Sequence, residues 1–389
     1  MAGEVRVSAG VLLDGGSEWE LVELGLDEPR AHEVRISFRA AGLCHSDHHV
    51  TRRDFPTRLP IVGGHEGAGV VEAVGPHVAR VRPGDRVLCS YIPACGVCRP
   101  CSTGHENVCV KGGNAMTGAA EDGTFRFHLG GTDLGGFCGL GTFAQQAVVS
   151  EWACLPLPDD VPFEVGALLG CGVPTGWGSA VRAAEVRAGD VVVVVGVGGV
   201  GINAVQGARF AGARHVIAVD PVEFKRSTAL RFGATAAHPR LADVADAVAG
   251  ITGGRMADHV ILTPGALDED MIATSLAVVG RGGRVVVTAN GRSAEKALSF
   301  AARDVVSHQR EVRGALFGNC NPLADIPLLI ELYRDGALRL DELVSRRYRL
   351  DQLNEAYRDM VDGHNIRGVV LHDATEGGAA QRPPGVSER

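Results

Sequence analysis

The chain has 389 residues, too many for one ordinary core and suited to two lobes of about 150–200 residues each. It is 45% hydrophobic and 22% charged with a formal charge of −8, which excludes disordered and fibrous classes and gives no basic footprint for nucleic acid, because its basic residues are scattered. The longest apolar runs fall well short of the ~18 residues that span a bilayer, so no membrane partner is expected. Met1–Gly10 lacks the basic start and apolar core of a secretory signal, and the sequence predicts a cytoplasmic protein. In that reducing compartment the ten cysteines are better suited to metal ligation or catalysis than to disulfides.

In chain order, the first ~150 residues read as β-rich: Glu33–Ala40 alternates apolar Val34, Ile36 and Phe38 with polar neighbours, and Gly69–Val74 and Arg86–Cys89 are further short strands. From Asp190 the pattern becomes strand, turn, helix. Val191–Val195 is an unbroken valine run, as in a parallel strand covered on both faces. A helix to about Phe210 closes at Gly212, a strand follows at Val216–Val219, and Gly233 ends the next helix. His259–Leu262, a helix after Asp268, Arg284–Thr288 and Glu311–Leu316 continue the alternation of a doubly wound parallel sheet. Helices at Ala324–Arg334 and Asp351–Asp362 and a strand at Gly368–His372 come last, and Ala374–Arg389 has the composition of a disordered tail. The expected division is a β-rich lobe over 1–174 completed by 318–373, a dinucleotide-type lobe over 175–317, and a tail over 374–389.

Cys95, Cys98, Cys101 and Cys109 form C-x2-C-x2-C-x7-C. Four thiolates around one point are the closed, tetrahedral set of a structural zinc, which braces a loop and does no chemistry. A bacterial iron–sulfur run would place its fourth cysteine after three residues and follow it with proline. Here the gap is seven and Val110 follows.

Cys44, His65 and Cys171 are further candidate ligands; two thiolates and an imidazole leave one tetrahedral position open for substrate. Asp47 and Glu66 sit beside them in sequence, as carboxylates able to orient ligands; Glu66 is counted with the metal group. Gly196, Gly198, Gly199, Val200 and Gly201 lie in a G-x-G-x-x-G run between the valine strand and a helix, the turn that cradles a pyrophosphate. Asp220 ends the next strand, where an acid bonds an adenosine ribose and repels a 2′-phosphate, so NAD is expected over NADP. Lys225 is placed to assist at that ribose.

Together these pieces resemble the zinc-dependent medium-chain alcohol dehydrogenases over about Leu21–Asp373, on Cys44, Ser46, Asp47 and His49, on Gly63-Gly64-His65-Glu66, on the four cysteines from Cys95, on Cys171 with Thr175, on the glycine run with Asp220 and Lys225, and on Arg367. Gly314–Pro322 and Gly363–Gly368 look most like the bacterial nitrosodimethylaniline-dependent branch, akin to class III enzymes. The resemblance implies a GroES-like catalytic domain, a Rossmann domain, two zincs per chain, and NAD that stays bound and is reoxidised by an external acceptor. It implies that Cys44, His65 and Cys171 hold a zinc that lowers the pKa of an alcohol, that Ser46 takes the proton and relays it through the nicotinamide ribose to His49, and that hydride passes to NAD. His45, Thr175 and Arg367 would contact the cofactor; His48 is read as a polar residue facing water.

By alignment with that family, Phe55, Tyr91, Asn114, Phe137 and Cys138 would line the pocket, a mostly aromatic wall suited to a medium or aromatic primary alcohol or its aldehyde. One departure is Gly113, four residues past Cys109, where class III enzymes acting on the glutathione adduct of formaldehyde carry arginine. The alternatives are a formaldehyde dehydrogenase acting on another thiol adduct, and a non-catalytic NAD-binding protein of the same fold. A homo-oligomer, dimer or tetramer, is expected by analogy, with Glu311–Leu316 as an apolar sheet edge for pairing.

Overall fold

The structure is a computed structural model and describes residues 5–267, 270–289 and 299–372; the expected tail lies outside them. Val5–Leu12, Glu20–Leu26, Phe127–Leu129, Thr132–Gly136 and Ile61–Val62 close into a small barrel. Beside it runs a largely antiparallel sheet in the order Cys154–Pro156, Arg86–Cys89, Gly67–Val74, Glu33–Gly42, Arg367–Leu371 and Val344–Arg349, with Gln146–Ser150 also paired to Glu33–Gly42. The strand near the end of the chain is therefore stitched to one near its beginning, Val369 opposite Gly42 and Leu371 opposite Ala40.

A third sheet is wholly parallel, in the order Ala236–His238, His215–Val219, Val191–Val195, Ala257–Leu262, Val279–Val287 and Glu311–Gly314. All five valines of Val191–Val195 are buried, as a strand with helices on both faces requires. The strand order reverses beside this strand, which opens a crevice at the carboxyl ends of Val191–Val195 and Ala257–Leu262. No helix among the described residues is long and apolar enough to cross a membrane.

Several boundaries differ from the sequence expectation. The strand expected from Arg284 starts at Val279 and passes through Gly280, Gly282 and Gly283, which hide its alternation. The helix expected from Ala324 starts at Pro322, where proline fits a first helical turn and the Asn321 side chain caps the Leu323 N–H at 2.9 Å. The edge expected over Glu311–Leu316 ends at Gly314 and is not apolar: Glu311 and Arg313 are tied into an ion network with Arg284 and Glu185. That charge blunts the edge, so apolar pairing along it has no structural support.

Candidate active site and metal centres

Cys44 immediately precedes the helix His45–Thr51 and Cys171 precedes Gly172–Gly178, while His65 follows the strand Ile61–Val62. Three remote segments thus converge, and ligand atoms of Cys44, His65, Glu66 and Cys171 all lie within 4.8 Å of one another, each residue buried. Asp47 Oδ2 stands 3.0 Å from His65 Nδ1, and its Oδ1 accepts the Gly64 N–H at 2.8 Å, which holds a carboxylate against one nitrogen of the imidazole. Contact with Cys171 and the charge of His65 hold the Cys44 thiol well below its ordinary range despite burial, while Cys171 is pushed up. Burial opposes protonation of His65, but Asp47 and Cys44 hold it well above an ordinary histidine. A cluster with this demand for positive charge suits a dication.

Glu66 has both oxygens engaged, one by Arg367 and the other by the Gly172 N–H at 3.2 Å. Burial lifts its carboxyl to about 7 against the pull of Arg367. The direct donors are thereby reduced to Cys44, His65 and Cys171, with Glu66 at the margin.

The Cys95, Cys98, Cys101 and Cys109 sulfurs also lie within 4.8 Å of one another. The pairs Cys95–Cys101 and Cys98–Cys109 are 4.0 and 3.8 Å apart, against about 3.8 Å for sulfurs at the corners of a zinc tetrahedron with Zn–S near 2.3 Å. Backbone N–H groups around Cys98 hold its thiol down at about 6, while burial pushes Cys101 up to about 12. The set fits a closed zinc site.

The glycine turn follows Val195 at the sheet crevice. A Cβ on Gly201 would stand 1.9 Å from the Gly196 carbonyl oxygen, so the turn closes only without a side chain. The Asp220 carboxylate accepts from the Val197 and Val222 N–H groups at 3.0 and 2.9 Å, locking the acid beside the turn. Arg367 lies over Gly199, with Cδ 2.3 Å from where a Cβ would stand, so one guanidinium spans the metal cluster and the phosphate turn. Arg367 Nε and Thr175 Oγ1 are buried without hydrogen-bond partners, two orphaned groups that a bound dinucleotide would satisfy. Lys225 sits in the helix Glu223–Arg231 after Asp220. His45 lies against Gly265, and burial pushes it down to about 4, so near pH 7 it offers a neutral imidazole and not a charge.

Ser46 Oγ is 3.7 Å from Cys44 Sγ. His49 bridges the lobes, Nδ1 to the Asp54 carboxylate and Nε2 to the Gly265 carbonyl, both at 2.8 Å. Tyr91 and Phe137 set their rings edge-on to His65 at 5.6 and 5.3 Å, and Phe55 lies 5.2 Å from His49. Asn114 is not brought to this group: its side chain donates to the Ala120 carbonyl within its own loop. His48, expected to face water, is half-buried and stacked on Tyr357. Sequence reasoning missed Tyr357, whose buried hydroxyl feels Asp47, and Phe317, whose ring packs 5.4 Å from Tyr91.

Two thiols and an imidazole converging near a serine hydroxyl, with a guanidinium that also lies over a dinucleotide-type turn, are the arrangement of a metal-dependent dehydrogenase. Comparison with known proteins agrees. Residues 30–159 match the alcohol dehydrogenase GroES-like domain and residues 199–335 the zinc-binding dehydrogenase family. The chain is 50% identical to the NDMA-dependent alcohol dehydrogenase of Amycolatopsis methanolica, over 95% of this chain and 100% of that protein. An alcohol dehydrogenase zinc-binding domain protein from Burkholderia ambifaria superposes with TM-score 0.89 at 33% identity, over 96% of this chain and 100% of that one. Benzyl alcohol dehydrogenase from Acinetobacter calcoaceticus superposes at 0.87 with 30% identity, over 94% and 99%. The chain belongs to the zinc-dependent medium-chain alcohol dehydrogenases, close to their NDMA-dependent bacterial members.

Proposed function

We propose that the protein interconverts a primary alcohol and its aldehyde, with one zinc at Cys44, His65 and Cys171, a second at the four cysteines, and NAD that stays bound and is recycled by an external acceptor. The single observation that carries this reading is the convergence of the three open-site donors beside Ser46, on the same wall of the cleft as the Arg367 guanidinium that lies over the glycine turn. When bound, zinc supplies a Lewis acid for the alcohol oxygen and NAD the hydride acceptor.

The chain's own residues supply the rest. Ser46 Oγ accepts the alcohol proton and gives up its own toward His49. His49 meets the Asp54 carboxylate and the Gly265 carbonyl at 2.8 Å each, which fixes its ring between the two segments. Tyr91 and Phe137 shield the centre from water. We take residues 1–174 with 318–373 as the catalytic lobe and 175–317 as the dinucleotide lobe; the pairing of Arg367–Leu371 with Glu33–Gly42 supports that division.

Elemental analysis is expected to find about two zincs per chain, and Cys44→Ser to lose one together with at least about 10²-fold in activity. Denaturing the purified protein should release NAD. Full activity in Cys44→Ser ends the open-site reading, and a supernatant free of nucleotide ends the tightly bound one.

A further inference from the structure

We infer that Cys89 and Cys154 are a peroxide-reactive dithiol that closes into a disulfide across two paired strands, at a site outside both metal centres. The two centres take six of the ten cysteines. Of the rest, Cys138 packs in the apolar cluster of Phe137 and Cys320 donates to the Pro174 carbonyl at 3.3 Å. Cys89 and Cys154 are both free and buried in one apolar cluster.

The strand Cys154–Pro156 runs antiparallel to Arg86–Cys89, with Cys154 directly opposite Cys89. Residues so placed point to the same face of the sheet. The ladder bonds on either side tell which kind of pair this is. The Ser90 N–H donates to the Ala153 carbonyl and the Leu157 N–H to the Arg86 carbonyl, both at 2.9 Å; bonded pairs alternate with non-bonded ones, so Cys89 and Cys154 form a non-hydrogen-bonded pair. Pro156, opposite Val87, has no N–H to give and fits only that phase. Such a pair brings its Cα atoms to about 4.5 Å, inside the roughly 4.4–6.8 Å that a disulfide spans. The Cys154 thiol donates to the Ser150 carbonyl at 3.6 Å. Contact with Cys154 and burial push Cys89 well up, so it rests as a thiol.

Strand order decides which sulfur reacts first. Cys154–Pro156 is a three-residue edge, whereas Arg86–Cys89 is paired on both sides, to it and to Gly67–Val74. A short edge frays before an inner strand does. Ser150 and Ala153, beside Cys154, line a cavity of about 190 Å³ whose exposed rim at Arg30 and Asp122 opens to solvent, and hydrogen peroxide is small enough to enter it. The Cys154 sulfur attacks one peroxide oxygen and the O–O bond breaks, leaving a Cys154 sulfenic acid and a water. The Cys89 sulfur then attacks the sulfenic sulfur; its proton and the S–OH group leave as a second water, and the S–S bond forms. The two sulfurs give up the electron pair that the peroxide takes. A thiol reductant reverses the bridge by exchange.

The bridge ties the two ends of the stretch that carries Tyr91 and the four-cysteine loop. A Cβ on Gly170 would stand 2.3 Å from the Cys89 carbonyl oxygen, and the Tyr91 N–H donates to the Gly170 carbonyl at 3.2 Å, so the same strand end backs the segment leading into Cys171. Oxidation here braces both zinc-bearing segments.

The test treats the zinc-loaded native chain with a small molar excess of hydrogen peroxide, then alkylates it and maps it by mass spectrometry beside Cys89→Ser and Cys154→Ser. The native chain is expected to lose about 2 Da, to yield a linked peptide pair holding Cys89 and Cys154, to revert with dithiothreitol and to keep about two zincs. Its melting temperature should rise by about 3 °C or more. Cys89→Ser should leave Cys154 as a sulfenic acid that dimedone labels, and Cys154→Ser should leave Cys89 unlabelled. The native-chain map decides the pairing even where a variant fails to fold. No mass loss, a bridge to any other cysteine, or zinc lost in step with oxidation overturns the dithiol; dimedone on Cys89 overturns the order of attack, and a melting temperature that does not rise overturns the bracing.

Discussion

Glu66 and Arg367 form a buried ion pair at the boundary of two functions, metal and phosphate, and neither side chain has water to fall back on. Removing one partner of such a pair typically costs about 3–5 kcal/mol because the other charge stays buried. Arg367→Met is therefore expected to lower stability in urea unfolding by about 3 kcal/mol, and Glu66→Gln added to it to recover part of the loss. The deficit should also depend on pH. A carboxyl lifted from its ordinary 4.5 to about 7 binds its proton more tightly in the folded state, so its contribution is full below 4.5 and lost as pH rises through 7. Without Arg367 that effect strengthens, and the variant should approach the native chain toward pH 5. Each residue of this cluster is recognisable in the sequence, but the pairing is not. Glu66 and Arg367 are 301 positions apart, and His49 finds the Gly265 carbonyl across 216; contacts at such range leave no local periodicity.

At the scale of elements, legibility followed how local the cause was. The valine strand, the glycine turn and the four-cysteine loop each satisfy their requirement within a short stretch, through burial on both faces, backbone room for phosphate, or ligands close in sequence. The strand from Val279 was obscured by the glycines inside it, and the expected apolar edge dissolved because Glu311 and Arg313 find partners on other elements. The glycine turn makes the sharpest test. Gly201→Ala forces a methyl against the Gly196 carbonyl, so the turn must open at the point where the pyrophosphate would rest. The purified variant should carry roughly tenfold less releasable NAD than the native chain. Its zinc at the cysteine loop should be unchanged, since that loop shares no segment with the turn.

Across the whole molecule, the four-cysteine loop does more than hang from the surface. Asn107 donates to the Leu316 carbonyl at 3.1 Å, tying the loop to the chain where it leaves the parallel sheet. Cys98→Ser is expected to lower zinc from about two to about one per chain and the melting temperature by roughly 5 °C or more. Elemental analysis and a thermal melt check both.

The strand Arg367–Leu371 also sets an order of events. At a synthesis rate of about 5–20 residues per second, Glu66 waits roughly 15–60 s on the ribosome for Arg367 to be made. The four-cysteine loop is complete by Cys109 and can take its metal early. The centre at Cys44, His65 and Cys171 stays without its charge partner until the last described strand docks on Glu33–Gly42. A nascent chain is thus braced well before it is armed: its three open-site donors are all made by Cys171, but the guanidinium that pairs with Glu66 and lies over the glycine turn arrives only with the last described strand.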